Sequence, residues 1–479
     1  MGKKKNPILK EKYIDRMAAE GKCVAQHEGK VIFVKNAAPG DVADLKVTRR
    51  KKKYLEAVPV HFHKFSDIRT EPFCSHFGIC GGCKWQHIPY AIQLEYKQQQ
   101  VIDHFERIGK TPVREVRPII PSEETIYYRN KLEFTFSATR WLTREEISTG
   151  EALDRRALGF HIPQSFEKIL PISHCYLQPD PSNAVRLALD TFAKQNDIPF
   201  YDHANHRGIL RNLIIRTSNT GQVMVIVQFG GEAAENTEAI ETVMEFLFKE
   251  FPEITSLQYI INPKKNDTYH DLPVQHYKGG QYITEQMEDL SFRISPKAFY
   301  QTNSAQAYRL YCAAREMAAL QGHEVVYDLY TGTGTIANFV ARQAKQVVGI
   351  EYIEEAVADA RVNADLNQLH NTTFYAGDIK EQLQDAFIKQ HALPNVVITD
   401  PPRSGMHPDV VAKLVEIQPE RIVYISCNPA TQARDIALMQ NHYQVEAIQP
   451  VDMFPHTHHV ENIALLKKRS SAGLNNGFF

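Results

Sequence analysis

The sequence contains no apolar run of about 18 residues, the length a membrane-spanning helix needs, so no membrane span is predicted. No apolar signal-peptide core follows the charged start, Met-Gly-Lys-Lys-Lys-Asn-Pro, and a cytoplasmic protein is expected. Cysteine is scarce: 479 residues hold seven, at 23, 74, 80, 83, 175, 312 and 427. That odd number argues against a disulfide framework and for metal-binding or catalytic thiols. Internal repeats are absent, and low complexity is confined to the lysine runs. Net charge is almost absent as well, at −1, with 43% hydrophobic and 23% charged residues. These values describe an ordinary globular chain, long enough for two or three domains.

The charge is unevenly spread. Residues 1–70 carry 17 Lys/Arg against 8 Asp/Glu, a net of +9, so the remainder carries −10. A basic end on a near-neutral chain predicts a polyanionic partner, RNA or DNA. Residues 1–7 read as a disordered basic tail. From 13 to 60, about five short β-rich runs are separated by Glu28-Gly29 and Pro39-Gly40-Asp41, with the basic run Arg49 to Lys53 near the end. This pattern predicts a small OB-like barrel, an architecture that often binds nucleic acid.

Cys74, Cys80 and Cys83 follow in the spacing C-x5-C-x2-C, among glycines that let the backbone wrap an inorganic centre. A fourth ligand must come from elsewhere, and Cys175 in Ile172-Ser-His-Cys-Tyr-Leu is the best candidate. Four thiolates suit zinc or an iron–sulfur cluster. The lack of a second C-x2-C pair tilts the reading to iron–sulfur. His76 and His87 read as ordinary neighbours. A helix is expected over 90–109, a strand over 127–136, and an α+β region to about 285. Its Arg129, Lys131, Arg207, Arg211 and Arg216 are expected on a solvated face.

From Val325 the pattern alternates strand and helix, which predicts a doubly wound α/β sheet of six or seven strands. Asp328-Leu-Tyr330-Thr-Gly332-Thr-Gly334 is a strand, a glycine turn and a helix start. A Gly-x-Gly turn alone also fits a dinucleotide site. Asp328, however, suits the cationic end of S-adenosylmethionine better than a pyrophosphate. Glu351, at the end of the next strand, is placed for ribose hydroxyls, and Asp378, after the third, for adenine.

Asp400-Pro-Pro-Arg-Ser-Gly405 follows the fourth strand, and such loops occur in methyltransferases acting on nucleic-acid bases. Arg403 stands where the amine-methylating enzymes have an aromatic. One strand further on, Ser426-Cys427-Asn-Pro ends a buried β run. A thiol there points to C5-pyrimidine chemistry, in which addition at C6 makes C5 nucleophilic.

From Cys74 to Glu461 the sequence resembles the RNA uracil-5 methyltransferase family, most of all its branch acting on 23S ribosomal RNA. The likeness rests on the basic TRAM-like barrel, the four cysteines, Ser295-Pro with Phe299 and Gln301, and Asp328 with Gly332-x-Gly334. It rests further on the Asp400 loop, Ser426-Cys427-Asn-Pro and His456-x-x-His459-Val-Glu461. Many relatives have cysteine where Thr331 stands here. The resemblance implies a [4Fe–4S] cluster on Cys74, Cys80, Cys83 and Cys175. It implies S-adenosylmethionine contacts from Gln301, Tyr330, Glu351 and Asp400, with Cys427 as nucleophile and Glu461 as base. It also implies RNA, 23S ribosomal RNA in particular, as partner, and nothing in it requires an oligomer. The expected division is a TRAM barrel over 1–70, a central α+β domain with the cysteines over 71–285, and a Rossmann-like methyltransferase domain over 286–479. Two rivals remain open: the same methylation on transfer RNA, and a silent RNA-binding iron–sulfur protein.

Overall fold

The computed structural model describes residues 7–163 and 165–469. Of the expected basic tail only Pro7 falls within them. The N-terminal segment forms six strands, in the order Ile8–Tyr13, Val42–Arg50, Tyr54–Lys64, Lys30–Val34, Cys23–His27 and Arg16–Met17. Ile14, Cys23, Ile32, Val34, Leu45 and Val47 pack inside it. The β-branched alternation in these strands supplies that core face, while Arg49 to Lys53 stay exposed at the turn into the last long strand.

The central segment holds a seven-stranded sheet. Its spine is Leu210–Thr217 paired antiparallel with Val223–Gly230, both buried along nearly their whole length. Helix Thr237–Glu250 packs against it through Ile240, Val243, Met244 and Leu247. A second helix, Ser182–Gln195, adds Val185, Leu189 and Ala193. The expected strand over 127–136 begins only at Lys131 and ends at Ser137. The expected solvated face holds at exposed Arg207 and is corrected at two positions: Arg211 is fully buried and pairs with Asp267 at 3.0 Å. Arg216 is also buried and donates to the Ala298 carbonyl at 3.0 Å. Both arginines answer backbone carbonyls and a carboxylate inside the fold, so neither lies on a solvated face.

Eight strands make the C-terminal sheet, in the order Thr372–Ala376, Gln346–Glu351, Val325–Leu329, Val396–Thr399, Arg421–Ser426, Glu461–Lys468, Tyr443–Val451 and Val113–Val116. The first five run parallel, as buried apolar strands joined by helices should. Glu461–Lys468 then inserts antiparallel between Arg421–Ser426 and Tyr443–Val451. The eighth strand comes from far upstream, outside the alternating stretch. With it comes helix Tyr90–His104, whose Val101 joins the core on that face of the sheet. A π-helical turn, Phe105–Gly109, ends this helix. The hairpin Ile283–Met287 and Leu290–Ile294 bridges the central and C-terminal parts.

One loop, residues 452–460, ties these parts together. Lys97 and Asp452 meet at 2.6 Å with both side chains fully buried, and Lys97 also donates to the Phe454 carbonyl. Gln93 accepts from the His456 backbone, Lys84 and Trp85 donate to the His456 carbonyl, and Tyr128 donates to that of Pro455. Removing one member of a buried ion pair strands the other charge in a low dielectric. Lys97→Ala is therefore expected to cost about 3–5 kcal/mol in urea unfolding, and Lys97→Met with Asp452→Leu to recover much of that loss.

Candidate active site

Antiparallel pairing sets Ile425 opposite Ile463 and Ser426 opposite Asn462. Cys427 follows directly, and it lies within electrostatic reach of Glu461 at the start of the partner strand. Cys427 ends its strand because Asn428 caps the helix Pro429–Met439, its side chain accepting from the Ala430 N–H at 3.3 Å. Asn428 also donates to the Arg403 carbonyl at 2.9 Å, which joins the Cys427 turn to the Asp-Pro-Pro loop. That loop is pinned by buried Asp435, which accepts from the Met406 N–H at 2.8 Å and the Tyr424 hydroxyl at 2.7 Å. Gly405 fits only as glycine: its φ is +81°, and a Cβ would stand 2.5 Å from an Asp435 carboxylate oxygen.

The groups brought together shape one another's ionisation. Burial pushes the Glu461 carboxyl up to about 8; Asp400 adds to the rise and Arg403 opposes it. Burial likewise raises Asp400 to about 7, with Asp328 contributing. Burial raises the Cys427 thiol to about 11, reinforced by Glu461 and then Asp400. Arg403 works against that shift through its charge and a hydrogen bond to the sulfur. Arg403 was read from the sequence only as a departure from an aromatic, and its contact with Cys427 is new. The one signal for it was its place within the Asp-Pro-Pro loop.

The glycine turn lies across the strand ends. Tyr330 has φ +65°, a left-handed conformation that is uncommon for a bulky residue and held here by its surroundings. Asp328 is buried and raised to about 7, mainly by burial. One of its oxygens accepts from the Thr331 hydroxyl at 2.5 Å and the Ala337 N–H at 3.1 Å, while the other has no partner among the described residues. Thr331 thus holds Asp328 and has a structural part. Gly332 faces open space, whereas a Cβ on Gly334 would meet that of Ala360 at 2.8 Å. Glu351 accepts from the N–H groups of Gly332 and Ile353, each at 3.1 Å. Asp378 caps the short helix after its strand through the Lys380 N–H. Gln301 is buried, and its carbonyl accepts from Asn130 at 2.9 Å.

A cavity of about 660 Å³ opens beside this turn, lined by Tyr330, Asp378, Tyr352, Pro402, Gly405 and Arg434 among others. Neither Cys427 nor Glu461 lines it, nor do Gln301, Asp328 and Glu351. It therefore does not contain Cys427.

All four cysteines of the expected cluster are free thiols. Burial raises Cys83 to about 12 and Cys175 to about 11, and in both cases neighbouring thiols of the same set add to the rise. The four therefore lie within electrostatic reach of one another. Among the described residues, no three His, Cys, Asp or Glu side chains converge closely enough for a metal ion. His76 bonds Ser173 and His87 bonds the Ala37 carbonyl, so both serve as ordinary neighbours. No helix among the described residues is long and apolar enough to cross a membrane.

A parallel sheet with a glycine turn and acidic strand ends defines a Rossmann-like methyltransferase dependent on S-adenosylmethionine. Residues 280–469 match the tRNA (uracil-5-)-methyltransferase family, and 14–60 match the TRAM domain. An RNA methyltransferase of Bacteroides thetaiotaomicron is 56% identical over 454 residues, covering 95% of this chain and 100% of that protein. One from Porphyromonas gingivalis is 51% identical over 465 residues, covering 95% and 99%. The crystal structure of Pyrococcus abyssi tRNA (uracil-54, C5)-methyltransferase with S-adenosyl-L-homocysteine matches with a TM-score of 0.70 and 27% identity, covering 95% of this chain and all of that one. The chain belongs to the RNA uracil-5 methyltransferase family.

The raised carboxyl of Glu461 gives a stability test with a definite sign. In the unfolded chain a glutamate ionises near pH 4, while in the fold Glu461 holds its proton to about 8. Its contribution is thus complete below the unfolded value and fades as pH rises towards the folded one. Glu461→Gln is expected to match wild-type thermal stability near pH 4 and to exceed it above pH 8, by on the order of 2 kcal/mol.

Proposed function

We propose that the protein methylates C5 of a uridine in 23S ribosomal RNA, with Cys427 as nucleophile and Glu461 as base. The observation that supports this reading is a thiol just past a strand end within electrostatic reach of a buried carboxyl on the neighbouring strand, beside the Asp-Pro-Pro loop. S-Adenosylmethionine supplies the methyl group when bound. The Cys427 thiolate adds to C6 of the uracil, and the electron pair moves towards C5, which takes the methyl. Glu461 then removes the C5 proton, and expulsion of the Cys427 thiolate restores the 5,6 double bond. A carboxylate whose pKa is lifted towards the working pH is a stronger base than an exposed one, which suits Glu461 to this step. Arg403 and the N-terminus of helix Pro429–Met439 favour the thiolate. The uridine must leave its stack to reach the thiol, so base flipping belongs to the reading.

On the cofactor side, Asp328 with its unpartnered oxygen suits the cationic methionine end, Glu351 the ribose, and Tyr330 and Asp378 the adenine. Gln301, Asp400, Gly332 and Gly334 complete that set. Cys74, Cys80, Cys83 and Cys175 would hold a [4Fe–4S] cluster. Such a cluster spreads its four thiolates further apart than one metal ion does, which agrees with thiols that interact without converging. The cluster would order the central segment. The division into residues 1–70, 71–285 and 286–479, with helix Tyr90–His104 lent to the C-terminal sheet, and a cytoplasmic setting complete the proposal.

Transfer RNA is the second reading, favoured by the Pyrococcus structure, which matches nearly the whole chain and so leaves the barrel unable to separate the two substrates. Methyl-labelled S-adenosylmethionine offered with separate unmodified 23S, 16S and transfer RNA should yield labelled 5-methyluridine in 23S RNA alone. Label in transfer RNA would move the substrate, and none in any RNA would reject the reaction. Cys427→Ala should lose turnover by several orders of magnitude. Glu461→Gln should accumulate a covalent RNA adduct on denaturing gels, and normal turnover by that variant would reject it as base.

A further inference from the structure

A patch of rings lies beside the four thiols and is not used by the chemistry above. Phe73 meets Tyr176 edge-on at 5.2 Å and His456 at 5.1 Å, and Tyr127 lies 6.0 Å from Tyr176. Phe73 and Tyr127 keep 41% and 38% of their surface exposed. Tyr127 sits at φ +54°, held there by its N–H on the Tyr176 carbonyl at 2.7 Å and by a hydroxyl contact with His174 at 2.9 Å. A bulky aromatic kept in the left-handed region with its ring partly in solvent is destabilising for the fold itself, and such strain concentrates where a ligand is met.

The patch continues to the nucleophile. Arg129, two residues beyond Tyr127, has its guanidinium 4.9 Å over the ring of Phe454, and Phe454 faces His459 at 6.4 Å. His459 in turn lies within electrostatic reach of both Arg403 and Arg129. Rings and cations alternate along this path, the composition that binds an unpaired polynucleotide strand through its bases and phosphates together.

We propose that Phe73, Tyr127 and Tyr176 form a stacking platform for unpaired nucleotides next to the target uridine, with Arg129 bridging the platform to the catalytic residues. This rests on the RNA-methylating reading above. Single-stranded RNA is favoured over a protein partner because the path is interleaved with cations and ends at the nucleophile.

The test is the affinity of the full-length protein for labelled oligouridylate, measured beside KM and kcat on RNA and the Kd of S-adenosylmethionine. Phe73→Leu and Tyr127→Asn, the latter tolerating the left-handed backbone, should each raise the oligouridylate Kd and the RNA KM roughly tenfold. Saturated kcat and the S-adenosylmethionine Kd should stay unchanged. Tyr127→Phe keeps the ring but loses the His174 contact, and should bind RNA as the wild type does. Unchanged oligouridylate affinity in both ring-removing variants would overturn the platform and leave the patch to a protein contact. Parallel loss of S-adenosylmethionine binding would overturn it in favour of a structural role. Failure of the wild type to methylate any RNA would instead reject the functional reading, which the binding assay distinguishes.

Discussion

Three carboxyl groups buried within reach of one another set the terms for the rest of the C-terminal part. Burial raises all of them, and Asp328 adds to the rise of Asp400 while Asp400 adds to that of Glu461 and Cys427, so ionisable acids are concentrated where water is excluded. The isolated protein relieves this by holding protons on the carboxyls near neutral pH, and a cation entering the site would let them ionise. Arg403 supplies part of that relief from within, on the thiol and on Glu461. The sulfonium and ammonium of S-adenosylmethionine are cations of the kind the remainder calls for. The polarity of the site thus matches its methyl donor, as the dependence on S-adenosylmethionine requires.

Keeping several acids buried side by side needs a scaffold that cannot relax, and connectivity provides it. Glu461 opens a strand inserted antiparallel between two others: its own backbone pairs with Val451, and the next residue, Asn462, pairs on both sides, with Ser426 and Pro450. The loop just before it is gripped by Lys97, Gln93 and Tyr128 from elements upstream of the α/β stretch. Asn130 and Arg216 of the central segment hold the carbonyls of Gln301 and Ala298 in the same way. The central segment therefore does more than carry the thiols: it anchors the stretch from Ala298 to Gln301 that leads into helix Ser304–Ala318.

The alternating strands and helices after Val325 were legible because a parallel sheet writes itself as short apolar runs bounded by turn residues, and Val325–Leu329 and Val396–Thr399 fall where that pattern sets them. The strand Val113–Val116 was not legible, since four residues with two charges carry no period and pair across more than 300 positions of chain. Arg211 and Arg216 misled for a different reason. A charged residue in a strand reads as an outward-facing one, yet each finds internal carbonyls that periodicity cannot reveal. Cys427 was visible from its strand end, but the role of Arg403 required the loop to fold back onto it.

The loop from Asp452 to Val460 shows why substrate and scaffold cannot be separated in this chain. His456 adopts φ +61°, with its ring against Phe73 on one side and its backbone tied to Gln93 and Lys84 on the other. His458 packs close to Gly21 of the N-terminal barrel, where a Cβ on the glycine would stand 3.2 Å away. One short loop is thus in contact with the barrel, the ring patch beside the thiols and the strand bearing Glu461. On the proposed reading, a polynucleotide engaging the barrel and the patch together would press on the segment that leads into Glu461, and its recognition would be coupled to the placement of that carboxyl.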